Sequence, residues 1–214
     1  FLLMLAAARR LKEADDYARS PEYPKNGYLG MDDFLGLHLS GRTLLIVGAG
    51  RIGYATALRG IGWGMRTLYV ARNRHVEFEI APLAAERVDL DEGLKKADFV
   101  SVHTPLTKDT RHLIDERRLR LMKPTSVIVN TARGPVIEEA ALVRALREGW
   151  IFGAGLDVYE FEPKPGADLI ALKNAILTPH IGSASRKHRE LMTTMVGENV
   201  TAALEGRRPA NRIR

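Results

Sequence analysis

The stretch Thr43-Leu-Leu-Ile-Val-Gly-Ala-Gly-Arg-Ile-Gly53 decides the fold of this chain. Its first five residues, TLLIV, form a continuous apolar run, which is typical of a strand buried on both faces of a parallel sheet. Glycines follow at the spacing Gly48-x-Gly50-x-x-Gly53, and a helical pattern over about 52–62 begins there. We therefore predict a strand, a tight turn and a helix in immediate succession.

The three glycines of this turn have different physical roles. Gly48 permits the tight turn, Gly50 lets the backbone approach a pyrophosphate group, and Gly53 lets the helix pack closely on the sheet. The start of the helix then presents free N–H groups and the positive end of its dipole to the phosphates. A glycine-rich turn without a ligand would share the spacing, but the strand–turn–helix context favours dinucleotide binding.

The rest of the chain alternates between apolar strand patterns and helical patterns. Further strands are predicted over 67–70, 99–103, 127–130, 154–158 and 176–178, with helices over 91–97, 115–122, 138–148 and 184–205. Such alternation predicts an α/β fold with a doubly wound parallel sheet and right-handed crossovers, which is the Rossmann arrangement.

The first forty residues differ in character from this regular part. Residues 1–19 show a helical pattern with one apolar face, and their positive charges follow the apolar run, which argues against a signal peptide. Residues 20–40 are rich in proline, glycine and aromatic side chains, and are too apolar for a disordered linker. We expect this stretch to pack against something, and an arm that reaches another subunit is one interpretation.

The composition narrows the possible functions. The absence of cysteine excludes disulfides, zinc–thiolate sites and a thiol nucleophile, and no metal site is predicted. The net charge is +6, but the basic residues are scattered among acids, so nucleic-acid binding is not predicted. No apolar run approaches the length of a membrane span, so no membrane partner is predicted either. A cytoplasmic enzyme fits this composition.

The residues after the second predicted strand bear on the choice of cofactor. A site that prefers NAD has an aspartate or glutamate there, which holds the 2′-hydroxyl of the ribose. This chain has Ala71-Arg72-Asn73-Arg74 instead. Two arginines can bind a 2′-phosphate through charge-assisted hydrogen bonds, so Arg72 and Arg74 favour NADP, with NAD as the second choice. Two ordinary surface arginines are the alternative interpretation.

Three later segments each follow a predicted strand. They are Asn130-Thr-Ala-Arg-Gly-Pro135, Gly155-Leu-Asp-Val-Tyr-Glu-Phe-Glu-Pro163 and Leu177-Thr-Pro-His-Ile-Gly-Ser183. Ligands of open parallel sheets bind at the carboxyl ends of the strands. The segments therefore bring an arginine, carboxylates and a histidine to one edge of the sheet.

These segments, the glycine turn and Ser101-Val-His-Thr-Pro105 together resemble the D-isomer-specific 2-hydroxyacid dehydrogenases, with five motifs in the same order over about residues 1–210. The stretches Lys25-Asn-Gly-Tyr-Leu-Gly30 and His180-Ile-Gly-Ser-Ala-Ser185 look most like the glyoxylate and hydroxypyruvate reductases of that family. The resemblance implies a hydride transfer from NAD(P)H to a small 2-keto acid, which gives a 2-hydroxy acid.

The resemblance also implies three catalytic residues, because the arginine, glutamate and histidine of the family correspond to Arg133, Glu162 and His180. A guanidinium can bind the carboxylate of a 2-keto acid and polarise its carbonyl. A histidine can donate the proton that the reduced oxygen needs, and Glu162 would orient it and favour its charged form. Taken singly, each residue has an ordinary alternative. Arg133 would fit a surface ion pair, and His180 would fit a histidine at a helix start. Glu162 would fit turn chemistry, with Glu160 as a rival carboxylate.

Further cofactor contacts carry over from the family. The resemblance places Arg51 and Ile52 under the pyrophosphate, Thr104 and Pro105 beside the nicotinamide, Thr131 and Ala132 near its ribose, Asp157 at its carboxamide, and Gly182 near its ring.

Members of the family carry a further N-terminal segment that builds most of a flavodoxin-like substrate domain. On this basis residues 1–38 are a linker helix and dimerisation arm, 39–183 the dinucleotide-binding domain, and 184–214 a helix that returns to the substrate domain. We expect a homodimer that binds its cofactor, with weak or no turnover by this chain alone. A corepressor-like nucleotide sensor without turnover is the alternative, and the family also includes enzymes for D-lactate, phosphoglycerate or phosphite.

Overall fold

A computed structural model of the chain describes residues 1–212. It contains two compact units, one that covers residues 1–180 and one that begins at Ile181. The first unit holds the whole sheet, and the second holds one long helix.

The first unit is built on a parallel sheet of seven strands. The strands are β1 Thr43–Val47, β2 Arg66–Val70, β3 Glu86–Arg87, β4 Phe99–Val102, β5 Val127–Asn130, β6 Gly153–Leu156 and β7 Ala175–Leu177. Their order is β3-β2-β1-β4-β5-β6-β7, and every pair is parallel. The predicted Rossmann fold is confirmed, with the two-residue β3 as an addition at the edge.

The helices lie between the strands and before them. They are α1 Leu2–Ala8, α2 Leu11–Ala18, α3 Glu22–Asn26, α4 Arg51–Ile61, α5 Val76–Glu79, α6 Leu90–Lys96, α7 Glu116–Leu119, α8 Glu139–Arg147, α9 Ala167–Ile170 and α10 Arg186–Leu204.

The sheet is covered on both faces, as the apolar run of β1 predicts. All five residues of β1 are buried, and its four apolar residues alternate between two hydrophobic clusters. Leu45 and Val47 pack with side chains from α6, α7 and α8, whereas Leu44 and Ile46 pack with side chains from α1 and α4. Burial on both faces holds the strand ends, and the turns that follow them, in a fixed register.

That register brings the important turns to one edge. The last residue of β4, Val102, pairs with Val47 of β1 on one side and with Asn130 of β5 on the other. Asn130 pairs with Leu156 of β6, and Leu156 with Leu177 of β7. The segments after these strands therefore start at one level along the carboxyl edge of the sheet.

The single helix predicted over residues 1–19 is wrong, because α1 and α2 are separate helices. In a continuous helix the carbonyl of Ala8 would accept from the N–H four residues later. It accepts instead from the N–H of Leu37, at 2.8 Å, and Arg10 begins α2 from a left-handed conformation with φ of 51°. The break is thus set by a tertiary hydrogen bond from the 20–40 stretch.

The 20–40 stretch packs in part against its own chain, as expected of a segment with this composition. The ring of Tyr17 in α2 contacts the rings of Tyr23 and Phe34, with centroids 5.7 and 5.3 Å away. Tyr28 and Met31 remain almost fully exposed, at 104% and 93%. The 20–40 stretch, which we call the arm, therefore has an inner side that packs against α2 and an outer side with exposed apolar side chains.

The second unit consists mainly of α10. The side-chain oxygen of Ser185 caps the start of this helix by accepting the N–H of His188. Met192, Val196 and Val200 are exposed and recur every four residues, so they share one face of the helix. Within residues 1–212, every helix is too short or too polar to cross a membrane.

Candidate active site and cofactor cleft

The turn after β1 has the geometry of a ligand-facing loop. Gly48 has φ of +106°, and a Cβ there would lie 2.8 Å from the carbonyl carbon of His103 and the nitrogen of Thr104. Both the left-handed backbone and the contact with the β4 turn require glycine. The predicted tight turn is thus present, and it is packed against the end of the neighbouring strand.

The other two glycines set the approach of α4. A Cβ on Gly53 would lie 2.3 Å from the oxygen of Gly48 and 2.9 Å from Cγ2 of Ile46, so only glycine lets α4 pack this closely on β1. A Cβ on Gly50 would meet nothing within 4 Å, so this position faces open space. Among the described residues no side chain caps α4, so the first backbone N–H groups of this helix can donate to an anion.

A cleft of about 530 Å³ lies at this turn. Five of the residues predicted to bind the cofactor line it: Gly48, Gly50, Arg72, Thr104 and Pro105. Arg51 and Ile52 are exposed at the start of α4. The cleft is also lined by residues to which the sequence assigns no role, among them Asn73, His75, His103, Leu113 and Arg118. Asn73 and His103 lie within the stretches 71–74 and 101–105, whereas the other three follow no local pattern and are revealed only by the fold.

The chemistry of the cleft fits a dinucleotide. The hydroxyl oxygen of Thr104 is buried and has no hydrogen-bond partner within the part of the chain that the structure describes. An unsatisfied buried hydroxyl costs free energy, and a polar ligand group in the cleft would supply the missing partner. Together with the open position at Gly50 and the uncapped start of α4, this atom marks where polar ligand groups fit.

The imidazole of His103 forms part of the cleft wall. Burial lowers its pKa from 6.5 to about 4, so the ring is neutral at neutral pH. Its Nε2 lies 2.9 Å from the hydroxyl of Ser101. The ring therefore contributes shape and a hydrogen-bonding group to the cleft, but no charge.

The two arginines after β2 have different surroundings. Arg72 lines the cleft, and its backbone carbonyl accepts a hydrogen bond from Arg87 Nη2 at 2.7 Å. Arg74 instead donates from Nε to Oε2 of Glu79, at 2.6 Å, and the hydroxyl of Tyr69 donates to the other oxygen of Glu79. Sequence spacing treats the two arginines as equivalent, whereas the fold places only Arg72 in the cleft wall.

The structure brings Glu162 and His180 together. Nδ1 of His180 donates to Oε1 of Glu162 at 2.6 Å, between the turn after β6 and the turn after β7. Glu160, the rival carboxylate, turns away and accepts from Nε2 of His112 at 2.5 Å. The partner of the histidine is therefore the carboxylate that the motif comparison indicates.

Arg133 lies in the turn after β5 and is exposed. The side chain of Asn130 shapes this turn, because its Nδ2 donates to the oxygen of Arg133 at 2.9 Å and its Oδ1 accepts from the nitrogen of Ala132 at 3.0 Å. Arg133 Nη1 donates to the Ala132 carbonyl at 2.6 Å. The structure thus places Arg133 at the same sheet edge as His180, and Thr131 lies exposed beside it.

The comparison with known proteins decides the family. Residues 1–182 match the NAD-binding domain of the D-isomer specific 2-hydroxyacid dehydrogenases. The chain belongs to this family. A glyoxylate reductase of Thermococcus litoralis is 49% identical over 215 residues, which cover 100% of this chain and 64% of that protein. The chain therefore spans less than two thirds of the length of this relative.

Solved structures of the family have the same fold. The TT0316 protein of Thermus thermophilus superposes with a TM-score of 0.91 at 47% identity, over 100% of this chain and 66% of that one. A D-lactate dehydrogenase of Aquifex aeolicus, solved with NAD and lactic acid, gives 0.85 at 32% identity, over 96% and 65%. The dehydrogenase fold and the order of its segments are thus shared over nearly the whole chain.

Two further predicted residues are not among the residues that line the cleft. Asp157 is buried after β6, and its Oδ1 accepts from the hydroxyl of Thr178 at 2.6 Å. Gly182 belongs to the second unit, in the turn before α10. Their predicted roles at the nicotinamide carboxamide and ring remain predictions for this dehydrogenase domain.

Proposed function

We propose that this chain is the cofactor-binding part of a reductase that converts glyoxylate or hydroxypyruvate to the 2-hydroxy acid with NADPH. The observation that carries the proposal is the Glu162–His180 hydrogen bond, at the same sheet edge as the glycine turn. A bound nicotinamide supplies the hydride. Each of the three catalytic side chains then has a distinct part in the reaction.

His180 holds the proton that the substrate oxygen receives. Its Nδ1–H donates to Glu162, so its Nε2 is the nitrogen that can deliver a proton. Glu162 fixes the orientation of the ring by accepting this hydrogen bond. Arg133 has a planar guanidinium that can bind the substrate carboxylate through two hydrogen bonds and bring the carbonyl into register.

The proposed preference for NADP rests on the end of β2. Arg72 lines the cleft, and no carboxylate occupies the position after β2 that would hold a ribose 2′-hydroxyl. Arg74 would contribute only by exchanging its bond with Glu79 for the phosphate. NAD is the alternative cofactor, and paired titrations with NADPH and NADH distinguish the two.

We further propose that turnover needs a substrate domain in addition to this chain, with residues 1–38 and 184–214 as its connections. The exposed apolar face of α10 at Met192, Val196 and Val200 fits a helix that packs against such a domain. Hydride transfer requires water to be excluded and the substrate to be held. The term full-length reductase denotes this chain joined to the substrate-domain segment that its relatives carry.

The test compares this chain with the full-length reductase on glyoxylate, hydroxypyruvate and pyruvate, with NADPH and NADH. The proposal predicts that both bind NADPH, and that only the full-length reductase turns over, fastest on glyoxylate or hydroxypyruvate. Rapid turnover by this chain alone would overturn the need for a second domain. Cofactor binding with no turnover by either protein would support a nucleotide sensor instead.

A homodimer and a cytoplasmic location belong to the same proposal. The exposed outer side of the arm, at Tyr28 and Met31, favours a contact with a second subunit, since large exposed apolar groups mark interaction surfaces. Light scattering should give twice the chain mass for the wild type and a single chain mass for Met31→Glu. A monomeric wild type would contradict the dimer, and cell fractionation tests the location.

A further inference from the structure

Two glutamates near the catalytic edge are joined in a reciprocal contact. The N–H of Glu139, at the start of α8, donates to Oε2 of Glu160 at 2.9 Å, and the N–H of Glu160 donates to Oε2 of Glu139 at 3.2 Å. The other oxygen of Glu139 accepts from the N–H of Gly166 at 2.9 Å. This Glu139–Glu160 clasp therefore ties α8 to both ends of the loop that carries Glu162.

The clasp is buried, unlike the catalytic pair. Glu139 is 8% exposed, and the side chain of Glu160 is 6% exposed. Burial alone would raise the pKa of Glu160, but the hydrogen bonds from Glu139 N–H and His112 hold it below its ordinary value. Buried carboxylates are costly unless their oxygens are hydrogen-bonded. Every oxygen of this pair is so bonded, which is the condition for a rigid polar connection.

The clasp also touches the segments that carry the other catalytic residues. A Cβ on Gly134, next to Arg133, would lie 1.8 Å from the oxygen of Tyr159, so these two backbones are in direct contact. The hydroxyl of Tyr159 donates at 2.8 Å to the carbonyl of Thr178, two residues before His180. The short segment of Tyr159 and Glu160 therefore contacts α8, the turn after β5 that carries Arg133 and the turn after β7 that carries His180.

We propose that Glu139 and Glu160 are positioning residues, which hold the loop of Glu162 so that His180 and Arg133 face one substrate. This inference rests on the proposed function. Neither glutamate needs to touch substrate or cofactor for this role, because the clasp acts through the Tyr159–Gly166 loop. The cofactor cleft lies at the ends of β1, β2 and β4, so the clasp is expected to affect catalysis and not cofactor affinity.

The substitution Glu139→Gln is the sharpest probe. Both oxygens of Glu139 accept from backbone N–H groups, and an amide offers only one acceptor, so its NH2 group would face a donor. Glu160→Gln should be milder, because the His112 ring can change to the tautomer protonated at Nδ1, whose Nε2 then accepts from the new NH2 group. Glu138→Gln is the matched control, since Glu138 neighbours the clasp but takes no part in it.

The first readout is kinetic and uses the full-length reductase. We expect Glu139→Gln to lower kcat by about tenfold to 100-fold, because small misplacements at a reacting centre have effects of this size. Glu160→Gln should lower kcat by less, Glu138→Gln should not change it, and the Kd for NADPH should stay the same in all three. An unchanged kcat in Glu139→Gln, or an equal loss of kcat and NADPH affinity, would overturn the inference.

The second readout needs no turnover and uses this chain. NMR should detect the Nδ1 proton of His180 in its short hydrogen bond to Glu162, and Glu139→Gln should shift or broaden that signal. The same signal in wild type and variant would contradict the clasp. A changed signal in a protein without turnover would sustain the clasp while the proposed function fails. If Glu139→Gln does not fold, Glu160→Gln is judged by the same two readouts.

Discussion

The cofactor cleft and the catalytic edge each contain a histidine just after a strand, and the two histidines differ in burial and in hydrogen-bond partner. His103, after β4, lies in the cleft wall, and burial lowers its pKa to about 4. His180, after β7, is exposed and donates to the carboxylate of Glu162. The same side chain is thus a neutral part of the cleft wall in one region and, in the other, an exposed group paired with a carboxylate, for which we propose the role of proton donor.

The difference extends to how each region is built. The cleft depends on backbone packing, since glycine is required at Gly48 and Gly53 by contacts under 3 Å. The catalytic edge depends on side-chain hydrogen bonds, which the carboxylates of Glu162 and Glu160 accept and the hydroxyl of Tyr159 donates. Changes in the cleft should therefore alter cofactor affinity, whereas changes at the edge should alter turnover.

The largest expected effect is that of His180→Gln in the full-length reductase. Removal of a proton donor typically costs about 10²–10⁴-fold in rate, so kcat should fall by that factor. The Kd for NADPH should not change, because His180 does not line the cleft. Stopped-flow kinetics and fluorescence titration measure the two quantities. A large loss of NADPH affinity would mean that the two regions are not separable.

The next effect is the acid sensitivity of the fold through His103. Its folded pKa of about 4 lies below the ordinary 6.5, so the unfolded chain binds the proton more tightly. The contribution of the neutral His103 ring to the free energy of unfolding is therefore complete above pH 6.5. It is lost as the pH falls towards 4, and the loss is at most about 3 kcal/mol. Urea unfolding at several pH values should show this decline in the wild type and a smaller one in His103→Gln. Parallel declines in the two proteins would contradict it.

The substitution Gly53→Ala tests the packed turn. Its methyl group would lie 2.3 Å from the Gly48 carbonyl, so α4 must shift, at a cost of about 1–3 kcal/mol of unfolding free energy. NADPH binding should weaken with it. Gly62→Ala is the matched control, because its Cβ would meet the nearest atom at an ordinary 3.5 Å. Equal stability and affinity in both variants would show that the close approach is not needed.

The smallest effect is a change in cofactor preference. Arg72→Gln should raise the Kd for NADPH about tenfold, or about 1.4 kcal/mol, and leave the Kd for NADH unchanged. Arg74→Gln should change both little, because Arg74 is bonded to Glu79. Calorimetric titration of each variant with both cofactors measures the difference. A larger effect from Arg74→Gln would exchange the roles of the two arginines.

The sequence predicts those features that local contacts determine. The apolar run of β1 and the spacing of the glycines depend on residues close in the chain, and both lie where they are expected. The two-residue β3 is too short to show a pattern. The break between α1 and α2 depends on a hydrogen bond from Leu37, which is distant in sequence. No local rule could place that break.

The side chains of the site show the same limit. Arg72 and Arg74 have equal claims in the sequence, and only the position of Glu79 on α5 separates them. Glu160 and Glu162 are likewise two residues apart, and the turn after β6 sends one to His112 and the other to His180. The burial of His103 follows from its neighbours in space, so nothing in the local sequence distinguishes it from His180.

The most direct test of this account is the calorimetric titration of NADPH into this chain and into its Gly53→Ala and His180→Gln variants. The account predicts saturable binding at one site per chain, weakened in Gly53→Ala and unchanged in His180→Gln. Absence of saturable binding to the wild-type chain, or loss of binding in His180→Gln with wild-type affinity in Gly53→Ala, would contradict it.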